Sequence, residues 1–174
     1  MNFYHFTVPQ LIRTLGQVHQ WLDKAQKYAE QKKFDVNVLL TARLAPDQFH
    51  FTRQVQVITD NAKGTVARLA GVQAPAFEDT EKTVDELRAR IDKTIAFLKT
   101  LTPEQFQGAA ERTITLPFLP GQGIKGSDYL VAFALPNFYF HAATAYSILR
   151  HNGVDVGKGD FLGELPFFAL PSGT

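Results

Sequence analysis

The chain of 174 residues contains no cysteine. Its absence excludes disulfide bridges, thiolate nucleophiles and thiolate-bound zinc, and it is compatible with a reducing cytoplasm. The first ten residues, MNFYHFTVPQ, lack the basic stretch followed by an apolar stretch that is typical of a secretory leader. We therefore expect a cytoplasmic protein.

Long apolar runs and an excess of one charge are also missing. The most apolar stretch, 129–140, is shorter than the roughly 18 residues that a membrane-spanning helix requires, and it contains Pro136. With 18 basic and 17 acidic side chains the formal net charge is +1, so no basic surface for nucleic acid is expected. The sequence has no phosphate-binding loop, dinucleotide fingerprint, nucleophile elbow or HExxH motif either. We expect neither nucleic acid nor a membrane as a partner.

The sequence does have four long segments in which apolar residues recur every three or four positions, as on one face of a helix. They span 11–29, 51–69, 84–101 and 127–150. Thr7 and Pro9 suit the start of the first helix, and Thr83-x-x-Glu86 forms a capping box for the third. Four amphipathic helices in a chain of this length predict an all-α four-helix bundle.

Two segments depart from the helical pattern. The β-branched run RTITL and the turn-rich run PFLPGQG, within 112–126, predict a short β-hairpin or an extended excursion before the last helix. At the other end, we assign residues 1–163 to the bundle and 164–174 to a Phe-rich C-terminal tail. Clustered aromatics rarely stay in water, so we expect the tail to lie across the bundle or a partner. Together with the apolar last helix, the tail predicts a homodimer.

The most apolar helix carries two polar side chains one turn apart, Asn137 and His141. Apolar residues line the neighbouring stripes of this helix, so we expect both side chains to be mostly buried and to point towards the second helix. A buried polar group without a partner costs about 1–3 kcal/mol. Pro136 removes a backbone hydrogen bond beside them and should bend the helix there.

This stretch is similar to the last helix of the DinB-like (DinB/YfiT) superfamily of four-helix bundles. There H-x-x-x-H-R-G-Q precedes L-R-x-x-G; here N-x-x-x-H-A-A-T, from Asn137, precedes L-R-H-N-G, which ends at Gly153, at the same distance. Over about 3–163 the chain also resembles one uncharacterised bacterial subfamily. The phrases that carry this likeness are ARLAPDQFHFTRQVQ, AKGTVARLAG, PAFEDTEKTVDELRARI and ALPNFYFHAATAYSILRHNGV.

The resemblance implies a divalent metal such as zinc or nickel on three histidines, one from the second helix and two from the last. Several relatives in that superfamily are thiol-dependent transferases or isomerases, so the resemblance also implies an activity of that kind. His141 matches one ligand, Asn137 replaces the second, and Gln56, Val57 and Ile58 stand near the position of the third. A catalytic zinc site usually takes three good protein ligands and a water. We therefore expect no cofactor, with His141 as the ligand if a divalent metal does bind.

Three interpretations of the polar pair remain open. Asn137 and His141 could be satisfied core groups that hydrogen-bond each other, Gln56, Asp60 or a buried water. They could line a metal-free pocket for a small molecule, with Phe133, Phe140 and Thr144 in its wall. They could also belong to a rebuilt metal site. The candidate binding residues are Asn137, His141, Gln56, Asp60 and His50, although His50 also suits an exposed cap.

We therefore predict an uncharacterised DinB-like bundle with a degenerate metal site that binds a small molecule or is non-catalytic. The alternative is a divalent-metal-dependent, thiol-using transferase that acts on a small molecule. The sequence leaves open whether the chain is an enzyme.

Overall fold

Four long helical segments form the body of the protein. The computed structural model describes residues 3–170, with α1 (Phe3–Lys32), α2 (Phe51–Ala70), α3 (Val84–Lys99), α4 (Gly126–Asp128), α5 (Leu135–His151) and α6 (Lys158–Leu162). Short 3-10 helices span Val36–Thr41 and Pro103–Phe106. Strands β1 (Thr113–Thr115) and β2 (Gly123–Lys125) pair antiparallel, with Ile114 opposite Ile124. The predicted four-helix bundle and the hairpin before its last helix are confirmed.

Residues 126–151 form the last long helix, in which α4, a π-helical stretch (Tyr129–Ala134) and α5 follow one another without a break. At the end of the π-helical stretch the N–H of Leu135 donates to the carbonyl of Leu130, one residue farther back than in an α-helix. Pro136 comes next and has no N–H to donate. The widened turn therefore ends directly before Pro136 and Asn137. Such turns occur frequently at functional sites.

The start of α1 differs from the prediction. The helix begins at Phe3, and Thr7 lies inside it with its hydroxyl donating to the carbonyl of Phe3 at 2.7 Å. Thr7 is therefore not a cap, and Pro9 is an interior residue on the exposed side of the helix. Phe3 is buried in the core, and this packing adds a first turn that the capping signals did not indicate.

The end of α2 and the start of α3 lie where local chemistry predicts. Gly71 ends α2 with φ of 72°, a left-handed conformation that favours glycine. Thr83 and Glu86 form the predicted capping box of α3. Helix α2 is buried over most of its circumference, since 15 of its 20 residues are buried. Its polar side chains must therefore find partners inside the protein.

The chain after the last long helix folds back onto α1. The indole Nε1 of Trp21 donates to the carbonyl of Asp160 at 3.0 Å, and the Phe161 ring stacks on Trp21 at a centroid distance of 5.6 Å. Lys24 Nζ lies 2.8 Å from the Asp160 carboxylate, and its hydrogen bond lowers the pKa of that carboxyl. These contacts attach α6 to the middle of α1.

The tail beyond α6 is exposed as far as residue 170. The exposed fractions of Phe167 and Phe168 are 87% and 81% in the single chain. The described part of the bundle therefore does not bury these rings. Their burial against a partner stays a prediction. Residues 171–174 of the assigned tail, like residues 1 and 2, lie outside the described part of the chain. Within 3–170, no helix combines the length and apolarity needed to cross a membrane.

The docking of α6 can be tested through Trp21, the single tryptophan of the sequence. Phe161→Ala removes the stacked ring, so we expect a red-shifted emission and a loss of about 2 kcal/mol in the free energy of unfolding, less than for a fully buried Phe. The exposed Phe167 provides the control, since Phe167→Ala should change neither quantity. Equal spectra for the two variants would contradict the packing of Phe161 on Trp21.

Candidate polar site between α2 and the last long helix

The central contact of the site joins His141 on α5 to Gln54 on α2. Imidazole Nδ1 of His141 lies 2.7 Å from Gln54 Oε1, and both side chains are buried. The same Gln54 amide donates through Nε2 to the carbonyl of Phe49 at 3.0 Å. This second bond sets the orientation of the amide, with its oxygen towards the histidine.

The orientation of Gln54 determines the tautomer of His141. An amide oxygen can only accept, so Nδ1 of His141 carries the proton and donates it. The other nitrogen, Nε2, then presents a lone pair. No residue within the described range 3–170 hydrogen-bonds to Nε2. His141 therefore offers one acceptor, held in a defined direction by a neighbouring helix.

Burial and charge keep this imidazole neutral. Desolvation lowers the pKa of His141 below its ordinary 6.5, and the positive charge of Arg53 lowers it further. The Phe49 ring stacks on the imidazole at 6.4 Å, and the Phe140 ring meets it edge-on at 5.1 Å. At neutral pH the site thus presents an uncharged imidazole between two aromatic rings.

Asn137 makes a second pair with α2. Its Nδ2 donates to Asn61 Oδ1 at 3.1 Å, and Asn137 is half-buried. Asn61 Nδ2 is buried and has no hydrogen-bond partner among the described residues. Val57 shares a helix face with Gln54 and Asn61, which precede and follow it by three and four residues. Both polar residues of the last helix thus bond to α2, as predicted, but through Gln54 and Asn61 rather than to each other.

The lowered pKa of His141 predicts how the free energy of unfolding depends on pH. The folded protein binds the His141 proton at a lower pH than the unfolded chain does. The contribution of His141 to the free energy of unfolding is therefore complete above about pH 6.5 and is lost progressively as the pH falls below that value. His141→Gln should flatten the decline of the unfolding free energy from pH 7 towards pH 5, with a limit of about 1.4 kcal/mol per pH unit for one proton. Urea titrations at several pH values measure this. Parallel curves for the two proteins would contradict it.

Gln56 and Asp60 lie in a different network, between α2 and α3. Its centre is Arg90, whose side chain is 2% exposed. The partners of Arg90 are Thr59 Oγ1 at 2.7 Å, the Glu78 carbonyl at 2.9 Å, Glu81 Oε1 at 3.0 Å, Asp60 Oδ1 at 2.8 Å and Asp79 Oδ1 at 2.9 Å. Gln56 Nε2 donates to Glu81 Oε2 at 2.9 Å. Gln56 and Asp60 are therefore engaged in this network and not with His141.

Arg90 should be a strong determinant of stability. Arg90→Ala leaves three carboxylates without their shared cation, so we expect a loss of about 3–5 kcal/mol in the free energy of unfolding. Arg88, on the same helix, pairs with Asp23 and Asp85 near the surface, and Arg88→Ala should cost less than about 1 kcal/mol. Urea unfolding of both variants tests this. A similar cost for the two would show that the buried network is not stabilising.

The remaining predicted residues occupy three separate places. His50 is the N-cap of α2, where Nδ1 is 3.4 Å from the Arg53 N–H and 3.2 Å from the Leu40 carbonyl. Nδ1 makes one of these two bonds in each tautomer, because accepting from Arg53 and donating to Leu40 require opposite tautomers, and either bond is structural. Thr144 is buried, with its hydroxyl donating to the Phe140 carbonyl at 2.8 Å. Phe133 lines a cavity of about 270 Å³ under the hairpin, while Phe140 lies against His141.

Comparison with known proteins agrees with this architecture. The model of a domain of unknown function, DUF1993, matches residues 3–162. The chain belongs to the DUF1993 family. The crystal structure of a DinB family member from Shewanella denitrificans is 45% identical, with a TM-score of 0.94 over 97% of this chain and 96% of that chain. The chain is thus a DinB-like bundle, as its sequence indicated. No curated protein matches it.

The donors of this DUF1993 protein do not fit the three-histidine metal site that the resemblance implies. At or near the positions that the resemblance implies lie one imidazole, the Asn137 amide and the stretch 56–58, in which only Gln56 has a side-chain donor atom, and that amide is bonded to Glu81 and Arg53. Neutral amide oxygens suit harder cations than zinc or nickel. Within 3–170, no three His, Cys, Asp or Glu side chains are grouped to hold a metal ion.

Sequence reasoning missed Gln54, Asn61 and Phe49 as members of the site. Gln54 and Asn61 share the spacing of seven that places residues on one face of α2, and this pattern could have identified them. Phe49 lies before the helix, where the spacing of residues carries no information about neighbours. Sequence reasoning also missed Arg90, because a charged residue in an amphipathic helix is usually exposed.

Proposed function

We propose that this DUF1993 protein binds a small organic molecule at the polar site between α2 and the last long helix, without catalysis. The observation that carries this proposal is the chain of hydrogen bonds from the Phe49 carbonyl through Gln54 to His141. It directs a neutral Nε2 acceptor between two aromatic rings. A ligand with an N–H or O–H donor beside a planar or apolar group fits this arrangement.

Two further features support binding. The buried Nδ2 of Asn61 needs an acceptor, and a donor left unsatisfied costs about 1–3 kcal/mol. A ligand or an ordered water supplies one. The hydroxyl of Thr144, one turn from His141, is already bonded to the carbonyl of Phe140 and is not paired with the imidazole as a nucleophile would be. This geometry favours recognition over group transfer.

Side-chain amide signals provide the test. We expect uncharged fragments that carry an N–H donor to shift the NH2 resonances of Gln54 and Asn137 in two-dimensional nitrogen–proton spectra. His141→Ala should abolish these shifts, because it removes the acceptor. A matched control is His151→Ala, at the exposed end of α5, which should leave them unchanged. Fragments that shift only residues around the hairpin cavity, such as Ile114 and Ile124, would overturn the proposal.

The second candidate, a divalent-metal-dependent thiol transferase, is favoured by one observation. A metal-bound histidine usually donates its other ring N–H to a carbonyl or carboxylate, as His141 does to Gln54. The imidazole is therefore oriented as a ligand would be. What separates the two candidates is the number of good donors around it.

Restoring the missing ligands tests the degenerate metal site. We expect the purified protein, prepared without a metal-chelating tag, to hold no stoichiometric zinc or nickel. The double substitution Val57→His and Asn137→His should create a three-histidine set with His141 and bind zinc at one equivalent, measured by plasma mass spectrometry and calorimetry. His141→Ala added to this variant should remove the binding. Stoichiometric metal in the unaltered protein that depends on His141 would put the transferase first.

We also infer that the protein acts as a cytoplasmic homodimer. The exposed Phe167 and Phe168 rings of the tail support the dimer, as does the stretch 129–149 of the last long helix, which has no Asp, Glu, Lys or Arg. The lack of cysteine supports the compartment.

A further inference from the structure

The cavity of about 270 Å³ under the hairpin lies between the two strands and the π-helical stretch of the last long helix. The described side chains that line it carry no charge. They are Ile114, Leu116, Leu119, Gln122, Ile124 and Phe133. Ile114 and Leu116 are buried and form its floor, whereas Leu119 and Gln122 are exposed at its mouth. The hairpin cavity is thus an apolar recess with one amide at its opening, and it shares no residue with the polar site around His141.

The π-helical stretch supplies the aromatic wall of the hairpin cavity. The Phe133 ring stacks on the buried Tyr129 ring at a centroid distance of 5.9 Å. Tyr129 is fixed in turn, because its hydroxyl accepts a hydrogen bond from Arg68 on α2 at 3.3 Å. The Phe118 ring of the hairpin lies 5.8 Å from Phe133 on the outer side. A widened helical turn, which is frequent at functional sites, therefore positions a ring for a ligand here.

The base of the hairpin is fixed to the bundle, and its tip is not. The N–H of Gly126 donates to the carbonyl of Arg112 at 2.9 Å, and the Arg112 guanidinium donates to the carbonyl of Leu69 on α2. A Cβ at Gly126 would lie 1.9 Å from the carbonyl oxygen of Ala109, so this close approach requires glycine. Within 3–170, the backbone of the tip, residues 116–122, bonds only to itself. The tip can therefore move aside to admit a ligand while the walls stay in place.

We propose that the hairpin cavity is a second ligand site, which takes a small neutral molecule with a flat or branched apolar body and one oxygen that accepts a hydrogen bond. An apolar cavity of about 150 Å³ is enough for benzene, so this one has room for roughly ten non-hydrogen atoms. An ion would lose its hydration without compensation, because the walls carry no charge. The side-chain NH2 of Gln122 has no hydrogen-bond partner in the described part of the chain and supplies the directional contact.

The lining favours a free small molecule over a segment of polypeptide. A peptide that entered the cavity would bring backbone N–H and C=O groups, and each of these needs a partner when it is buried. Among the lining side chains only Gln122 can hydrogen-bond. A ligand with a single polar atom matches this supply, and a peptide does not.

Acetophenone is a suitable probe, because it has an apolar ring and a carbonyl acceptor but no N–H or O–H donor for His141. We expect it to shift the methyl resonances of Ile114 and Ile124 in carbon–proton spectra and to leave the NH2 signals of Gln54 and Asn137 unchanged. Unshifted methyl signals at millimolar acetophenone would overturn the proposal. The probe does not address the polar site, so failure here and failure of the proposed function are distinguishable.

Filling the cavity should abolish this binding. Ile124→Phe places a larger side chain in the wall, whereas Ile95→Phe, at a half-buried position on α3, is the matched control and should bind acetophenone as the unaltered protein does. Equal affinities of the two variants would contradict the site.

A milder pair of variants covers the case in which Ile124→Phe fails to fold. Leu119 at the mouth is 41% exposed, and Leu44, away from the hairpin, is 43% exposed. We expect Leu119→Ala to weaken acetophenone binding about fivefold through lost apolar contact, and Leu44→Ala to leave it unchanged. Equal affinities of these two variants would also contradict the site.

Two further measurements test the other possible occupants. If Phe167 and Phe168 of the tail filled the cavity, replacing both by alanine would shift the Ile114 and Ile124 methyl signals without any ligand. If a second copy filled it, these signals would change with protein concentration. We expect neither change, and either one would overturn the assignment to a small molecule.

Discussion

The burial of α2 is the constraint on which the rest of the structure depends. With neighbours on most of its circumference, this helix buries Gln54 and Gln56 and leaves Asp60 and Asn61 half-buried. Each of these side chains must therefore bond to a neighbouring element, because a buried polar group without a partner costs more than the bond itself contributes. The two polar assemblies of the protein follow from this requirement.

The two assemblies satisfy the constraint in different ways. Towards α3, carboxylates and amides of α2 and of the connection after it surround the buried Arg90, so charge is balanced by charge. Towards α5, neutral groups pair with neutral groups, as Gln54 with His141 and Asn61 with Asn137. The charged assembly engages every nitrogen of its guanidinium and is structural. The neutral assembly leaves the His141 Nε2 acceptor and the buried Asn61 N–H without partners among the described residues.

The neutral assembly also holds one imidazole in a defined direction through a neighbouring helix. His141 donates its Nδ1 proton to a carbonyl oxygen, as metal-bound histidines usually do. With its proton on Nδ1, the imidazole presents Nε2 as a hydrogen-bond acceptor. The π-helical turn before Pro136 lies beside Asn137, where the helix departs from regular packing.

Much of the fold was predictable because its signals are local. The capping box at Thr83, the glycine after α2 and the alternating strand before the hairpin each depend on a few consecutive residues. The start of α1 was not predictable in this way, since packing of Phe3 against distant residues overrode the capping signal at Thr7. The site was predictable in part: the spacing of Asn137 and His141 in an apolar helix indicated buried polar groups that face α2.

The sequence by itself determined most of the helical pattern, the hairpin, the absence of cysteine and the two polar residues that α5 turns towards α2, because all of these follow from residue type and short-range spacing. Only the tertiary structure decided their partners. Gln54 is 87 positions from His141, and Asp60 is 30 from Arg90. Which of several polar residues on α2 meets which neighbour depends on the rotation of that helix against α3 and α5. That rotation is set by the packing of the whole core, and no short stretch of sequence encodes it.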